Sequence, residues 1–174
     1  MGIYTDTGNA IQYYLSSSIT AKGIYTALIN PHRPSVTRVE VIVSEADNTH
    51  MNGKDLYIDI DINMPALIDG MALSLQIVNS NEIPIIYTYS FDGSGPILRK
   101  IGHNRMRCIL PKCKLYANSY YLIVHLSETK GRVKFDEISK ICAFEVKMPN
   151  KIIEWGWQKD VCVYTEDFVW KEIN

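Results

Sequence analysis

Leu56-Tyr57-Ile58-Asp59-Ile60-Asp61-Ile62-Asn63 alternates apolar and polar residues without a break. In an extended chain successive side chains point to opposite faces. Leu56, Ile58, Ile60 and Ile62 therefore share one face, and Tyr57, Asp59, Asp61 and Asn63 the other. That is a strand with one side in a core and one side out. The same period recurs outward from it. Val36–Val43 precedes it; Leu73–Ile77, Ile83–Ser90, Arg105–Leu110, Tyr120–Leu126 and Ile141–Lys147 follow. Two short runs, Val161–Tyr164 and Phe168–Ile173, close the chain. Turn residues separate these runs at Asn52-Gly53, Asp69-Gly70, Asn79-Ser80-Asn81, Asp92–Gly95 and Lys130-Gly131. Pro84 suits an edge strand, because it cannot donate to a ladder. The pattern predicts an all-β chain folded as an antiparallel immunoglobulin-like or jelly-roll β-sandwich. A doubly wound α/β sheet is excluded, since its strands are apolar on both faces. The exception is Thr7–Leu15, where Ala10, Ile11, Tyr14 and Leu15 fall at helical spacing and predict a short helix. Ser16–Ser18 reads as the start of a linker.

The 174 residues suit one domain with an appendage. With 47% hydrophobic and 21% charged residues the chain is globular in composition. Its 18 basic and 19 acidic residues leave a net charge of −1, which argues against a polycationic nucleic-acid binder. No run reaches the roughly 20 apolar residues of a membrane span. Met1–Leu15 lacks the basic and apolar regions of a signal peptide, which points to the cytoplasm or to a piece of a longer chain. The four cysteines, Cys108, Cys113, Cys142 and Cys162, are irregularly spaced. The four histidines are scattered. Free, buried thiols are expected, with no disulfide and no zinc site.

No nucleophile elbow, zinc-protease motif, dinucleotide fingerprint or phosphate loop is present, and no cofactor is implied. Asp59 and Asp61 are the one paired-carboxylate candidate; about 7 Å apart on one strand face, against the roughly 5 Å of a retaining glycosidase, their spacing alone does not forbid glycoside hydrolysis. Their place on the polar face of a regular strand predicts a solvated pair, so a hydrolase is the weakest reading. Arg105 and Arg107 alternate on one face, as a solvated strand face or an aid to binding an acidic glycan. A different face is richer. Tyr121 and His125 share the side of their strand away from the core, and Ser74 and Gln76 do so on theirs. Tyr87 and Tyr89 lie on one face of a third strand. Aromatic faces stack on sugar rings, while hydroxyl, amide and imidazole groups bond to sugar hydroxyls. Ser74, Gln76, Tyr87, Tyr89, Tyr121 and His125 are therefore the candidate carbohydrate-binding residues. An ordinary exposed sheet face is the competing account, and with it a structural or oligomerisation sandwich without a small ligand. Trp155-Gly156-Trp157 reads either as an end cap or as a ligand contact.

The order of these pieces resembles the C-terminal polysaccharide-recognition domain of Wzt-type ATP-binding subunits of O-antigen ABC exporters. Val36–Val43 looks like that domain's opening strand, and Leu73–Tyr89 like its strand–turn–strand. Tyr120–Leu126, Phe135-Asp136 and Ala143–Val146 resemble its Tyr-x-Leu-x-Val strand, its Asp and its Phe-x-Val strand. Gly156–Trp170 is similar to its tail, and Thr7–Leu15 to the end of the ATPase domain. Asn118 departs from the pattern, where the family has glycine.

The resemblance implies a non-catalytic domain that recognises the terminal part of an O-antigen polysaccharide for export. It implies residues 1–22 as the end of an ATPase domain and linker, and 23–174 as the sandwich of a homodimer; some members exchange the C-terminal strand between copies, here within 150–174, and the alternative is that it pairs within one chain. The implied partners are the polysaccharide, a second copy and the transmembrane permease, with no nucleic acid. The implied location is cytoplasmic, at the inner face of the inner membrane. The nucleotide-binding motifs are missing, so the chain itself is expected to be no enzyme.

Overall fold

A computed structural model describes residues 23–90, 97–130, 132–149, 156–157 and 161–173. The helix expected over Thr7–Leu15 lies outside them, as do Trp155 and the turn at 92–95. Among the described residues nine strands are formed: β1 Ile24–Thr26, β2 Ser35–Ile42, β3 Thr49–Met51, β4 Lys54–Met64, β5 Met71–Asn79, β6 Pro84–Tyr89, β7 Gly102–Cys113, β8 Asn118–Glu128 and β9 Val133–Lys147. They make two sheets, in the orders β1-β2-β4-β7 and β3-β9-β8-β5-β6.

The sheets pack as a sandwich because each strand carries one apolar face. Leu56, Ile58, Ile60, Ile62 and Met64 of β4 are buried against Leu73, Leu75 and Ile77 of β5 and Leu122, Val124 and Leu126 of β8, within one core. Burying a side chain of this size contributes roughly 1.5–3 kcal/mol. Tyr120 and Phe144 stack in that core at 5.7 Å, and the Tyr120 hydroxyl donates to the Tyr116 carbonyl at 2.8 Å. Asp136 ties the sheets at one end: its carboxylate accepts from the Val36 amide at 2.7 Å and from Arg33 at 3.0 Å. The Asp69-Gly70 turn requires its glycine. Gly70 has φ +78°, and a Cβ there would meet Thr129 Oγ1 at 3.1 Å.

Three expectations are corrected. The sandwich is not wholly antiparallel, because β3 runs parallel to β9, Thr49 opposite Glu145. The final strand begins at Val133, eight residues before Ile141, and is interrupted by bulges opposite Tyr120–Leu122 and Leu122–Val124. Lys140 and Cys142 take positive φ there, so alternation fails in the sequence although pairing continues. The runs at 161–164 and 168–173 are not strands. They contribute a single bridge, Leu115 to Tyr164, beside the Tyr116 amide donating to the Val163 carbonyl.

Candidate functional site

Two sheet faces point away from the core, and they differ in chemistry. On the four-stranded sheet, Asp59 sits opposite Glu40 and Arg107, and Asp61 opposite Arg38 and Arg105. Asp59 is only 2% exposed. Arg107 donates Nε and Nη2 to it at 2.6 and 2.8 Å, and Arg105 donates Nη2 at 2.7 Å. The Arg107 hydrogen bonds outweigh the cost of burial and, with Arg105, hold the carboxyl down to about 2. The Arg107 guanidinium lies 5.5 Å from the Tyr57 ring centroid, and His103 Nε2 stands 3.4 Å from Asp61 Oδ1. The expectation of a solvated carboxylate pair is thus corrected. A general acid needs a raised pKa, and Asp59 has the reverse. The ladder register brings two arginines onto a buried carboxylate, so this face is a lattice of charge pairs, and Asp59 with Asp61 does not make a hydrolytic pair.

On the five-stranded sheet, β5 pairs with β6 on one side and with β8 on the other. Directly paired residues share a face. Ser74 faces Tyr89 and His125, and His125 in turn faces Glu137. Gln76 faces Tyr87 and Ile123, and Val78 faces Pro84 and Tyr121. All six candidates therefore stand together on one outer face, in three rungs across neighbouring strands. At ordinary strand spacing the patch measures roughly 14 Å along the strands and roughly 10 Å across the three of them. Tyr87 and Tyr89 are about half exposed, with ring centroids 5.7 Å apart and a tilt of 38°. Ser74, Gln76, Tyr121 and His125 are half-buried.

The face also contains residues outside the six candidates. Glu137 lies across from His125; Lys134, hydrogen-bonded to it, keeps its carboxyl below the usual range, with a smaller contribution from His125. Bulges hide that half of β9 from pattern reading. Ile123 lies in the middle of the patch, and Val78, though on this face, is buried. The alternation of β8 already sets Ile123 beside Tyr121 and His125, while the cross-strand register places Val78 opposite Tyr121. The result is an apolar centre with tyrosines at one edge and hydroxyl, amide, imidazole and carboxylate groups around it. It can stack on a C–H-rich ring and bond to its hydroxyls.

Cys113 and Cys142 are buried, and Cys142 Sγ donates to the Val39 carbonyl across the sheets at 3.3 Å. Trp157 Nε1 donates to the Pro149 carbonyl at 3.2 Å, and its ring meets Tyr116 edge-on at 6.1 Å. Trp157 is 40% exposed, so these contacts leave both of its readings open. Among the described residues no group of three or more His, Cys, Asp or Glu is placed to hold a metal ion, and no helix is long and apolar enough to cross a membrane.

No family model matches the chain, and no curated protein does. Among solved structures, the C-terminal domain of Wzt is similar with a TM-score of 0.60 and 11% identity, over 88% of this chain and 95% of that one. A mutant beta-glucosidase from Listeria innocua in complex with laminaribiose gives a TM-score of 0.32 and 12% identity, over 63% of this chain and 16% of that one, and bears no argument. The first likeness shows the fold: this sandwich is built as the C-terminal domain of Wzt is.

Proposed function

We propose that this chain is the non-catalytic polysaccharide-recognition domain of an O-antigen ABC exporter subunit. Its outer β6-β5-β8 face would bind the terminal part of the glycan. The observation that carries the reading is the contiguity of Ser74, Gln76, Tyr87, Tyr89, Tyr121 and His125 on one partly exposed face. The fold shared with the C-terminal domain of Wzt supports it.

Four finer statements follow on this reading. The strand order is that of an immunoglobulin-like or jelly-roll class. Residues 1–22 end an ATPase domain, and 23–174 form the recognition domain. Segment 150–174 joins two copies as a homodimer by exchange. The assembly works on the cytoplasmic side, beside a membrane permease. A purely oligomeric role has its own support, since Phe168, Val169, Trp170 and Ile173 are 78–93% exposed. Calorimetric titration of the protein with the polysaccharide of its own source separates the two. Saturable heat is expected, with a weakened affinity in Tyr121→Ala, and the absence of binding to that glycan would remove the recognition reading.

A further inference from the structure

The two ends of the sandwich carry opposite charge. At one end stand the described residues 27–34, 65–70, 97–101, 129–130 and 132, in the connections from β1 to β2, β4 to β5, β6 to β7 and β8 to β9. They form one surface. The Thr129 amide and hydroxyl donate to the Gly70 carbonyl at 2.9 and 3.0 Å, Lys130 pairs with Asp69, and Asn63 Nδ2 donates to the Asn30 carbonyl at 3.4 Å. Ile101 immediately precedes Gly102, which is paired with Met64 just before the second loop.

Three of these loops point large aliphatic side chains into water. Leu28 is 80% exposed, Ile29 62%, Leu67 61% and Ile101 66%. A single exposed aliphatic is ordinary; four on adjoining loops are a patch. Around them, among the described residues of these loops, stand Arg33, Arg99, Lys100, Lys130 and Arg132, against the single acid Asp69. Arg33 pairs with Asp136 and Lys130 with Asp69, and Glu128 at the end of β8 adds a further acid beside Lys130, so three acids stand against the five cations. The positive excess remains, in a chain whose net charge is −1. At the other end, the loops 43–48, 80–83 and 114–117 hold Glu45, Asp47 and Glu82 against Lys114. Segment 161–173 attaches there too, through Tyr164 on Leu115, and leaves the basic end uncovered by it.

Exposed aliphatic tips within a basic ring match an anionic bilayer surface. The side chains enter the headgroup region while lysine and arginine meet the lipid charge. We infer that this loop end docks on anionic phospholipid, independently of the glycan face. An acidic protein would satisfy the charge but gains less from aliphatic tips spread over three loops.

The test is co-sedimentation with vesicles of phosphatidylcholine and phosphatidylglycerol at 7:3, and of phosphatidylcholine alone, at low and high salt. Binding to the anionic vesicles alone is expected, weakened by salt. Leu28→Asp with Leu67→Asp should reduce it roughly tenfold or more, and Lys100→Glu with Arg132→Glu should do likewise. Ile83→Asp at the opposite end should leave it unchanged. All these positions are exposed, and circular dichroism checks folding. No binding to anionic vesicles overturns the proposal. So does binding that survives the leucine changes, which would be adsorption by charge alone. So does a leucine double variant that turns a dimer into a monomer in sedimentation, which would make a second copy the occupant.

Discussion

Asp59 and Arg107 lock side by side across β4 and β7, with the guanidinium Nε and Nη2 on the two carboxylate oxygens at 2.6 and 2.8 Å. This two-pronged contact lets a carboxylate lie almost fully buried on what would otherwise be a solvated face. Its stabilising effect has a definite pH window. The folded pKa is lowered from its ordinary value to about 2, so the contribution is complete above the unfolded pKa and lost as pH falls from about 4 toward 2. Because Arg105 and Arg107 are half exposed, solvent screens the pair. Asp59→Asn should cost about 1–2 kcal/mol at neutral pH. Urea unfolding at pH 7 and pH 2 checks this: the gap between wild type and variant should close at the lower pH.

His50 gives a second window, nearer neutrality. It is 0% exposed, its Nδ1 accepts from the Ser44 amide at 3.3 Å, and its Nε2 meets no hydrogen-bond partner among the described residues. Burial lowers its pKa, against the opposing Lys54 carbonyl and the charges of Asp55 and Glu45. The unfolded chain therefore takes up the proton first, and stability falls as pH drops below about 6.5, by at most about 1.4 kcal/mol per pH unit. Denaturant titrations between pH 7.5 and 5 should show this slope in wild type, and His50→Gln should flatten it.

On the glycan face, Tyr121→Ala should weaken binding by about 1–3 kcal/mol, and Tyr87→Ala by less because it stands at the sheet edge. Arg107→Ala lies on the opposite sheet and should leave affinity unchanged while lowering stability. Calorimetry with thermal melts separates the two effects. Equal loss of affinity in both variants would refute the assignment of the face.

Cys142 combines burial with φ +53° in a bulge. A β-branched side chain tolerates that region poorly. Cys142→Val should be more destabilising than Cys142→Ala by about 1–2 kcal/mol, measured by urea unfolding. Burial also pushes the thiol up to about 12, so Cys142 should react with a thiol reagent far more slowly than the partly exposed Cys162.

Removing Val161–Asn174 should abolish any dimer held by that segment, or aggregate the protein by uncovering Leu115 and Tyr116. Light scattering of full-length and shortened chains tests it; a full-length monomer at high micromolar concentration would count against exchange.

Wherever burial follows a strict period of two, the sequence by itself determined the element and its faces. Leu56–Asn63, Leu73–Ile77 and Tyr120–Leu126 show this, and with the last two came the outward placing of Ser74, Gln76, Tyr121 and His125. Side-chain alternation is a local property, so it is written locally. Only the tertiary structure decided what depends on a distant partner. β1 and β3 are three residues long and exist through pairing with β2 and β9. The first half of β9 breaks its alternation at bulges, yet follows β8 and brings Glu137 to His125. Asp59 is buried because the register sets two arginines over it, which no spacing within β4 encodes. The residues 161–173 are β-prone by composition but make one bridge, since a strand needs a partner's backbone as well as its own side chains.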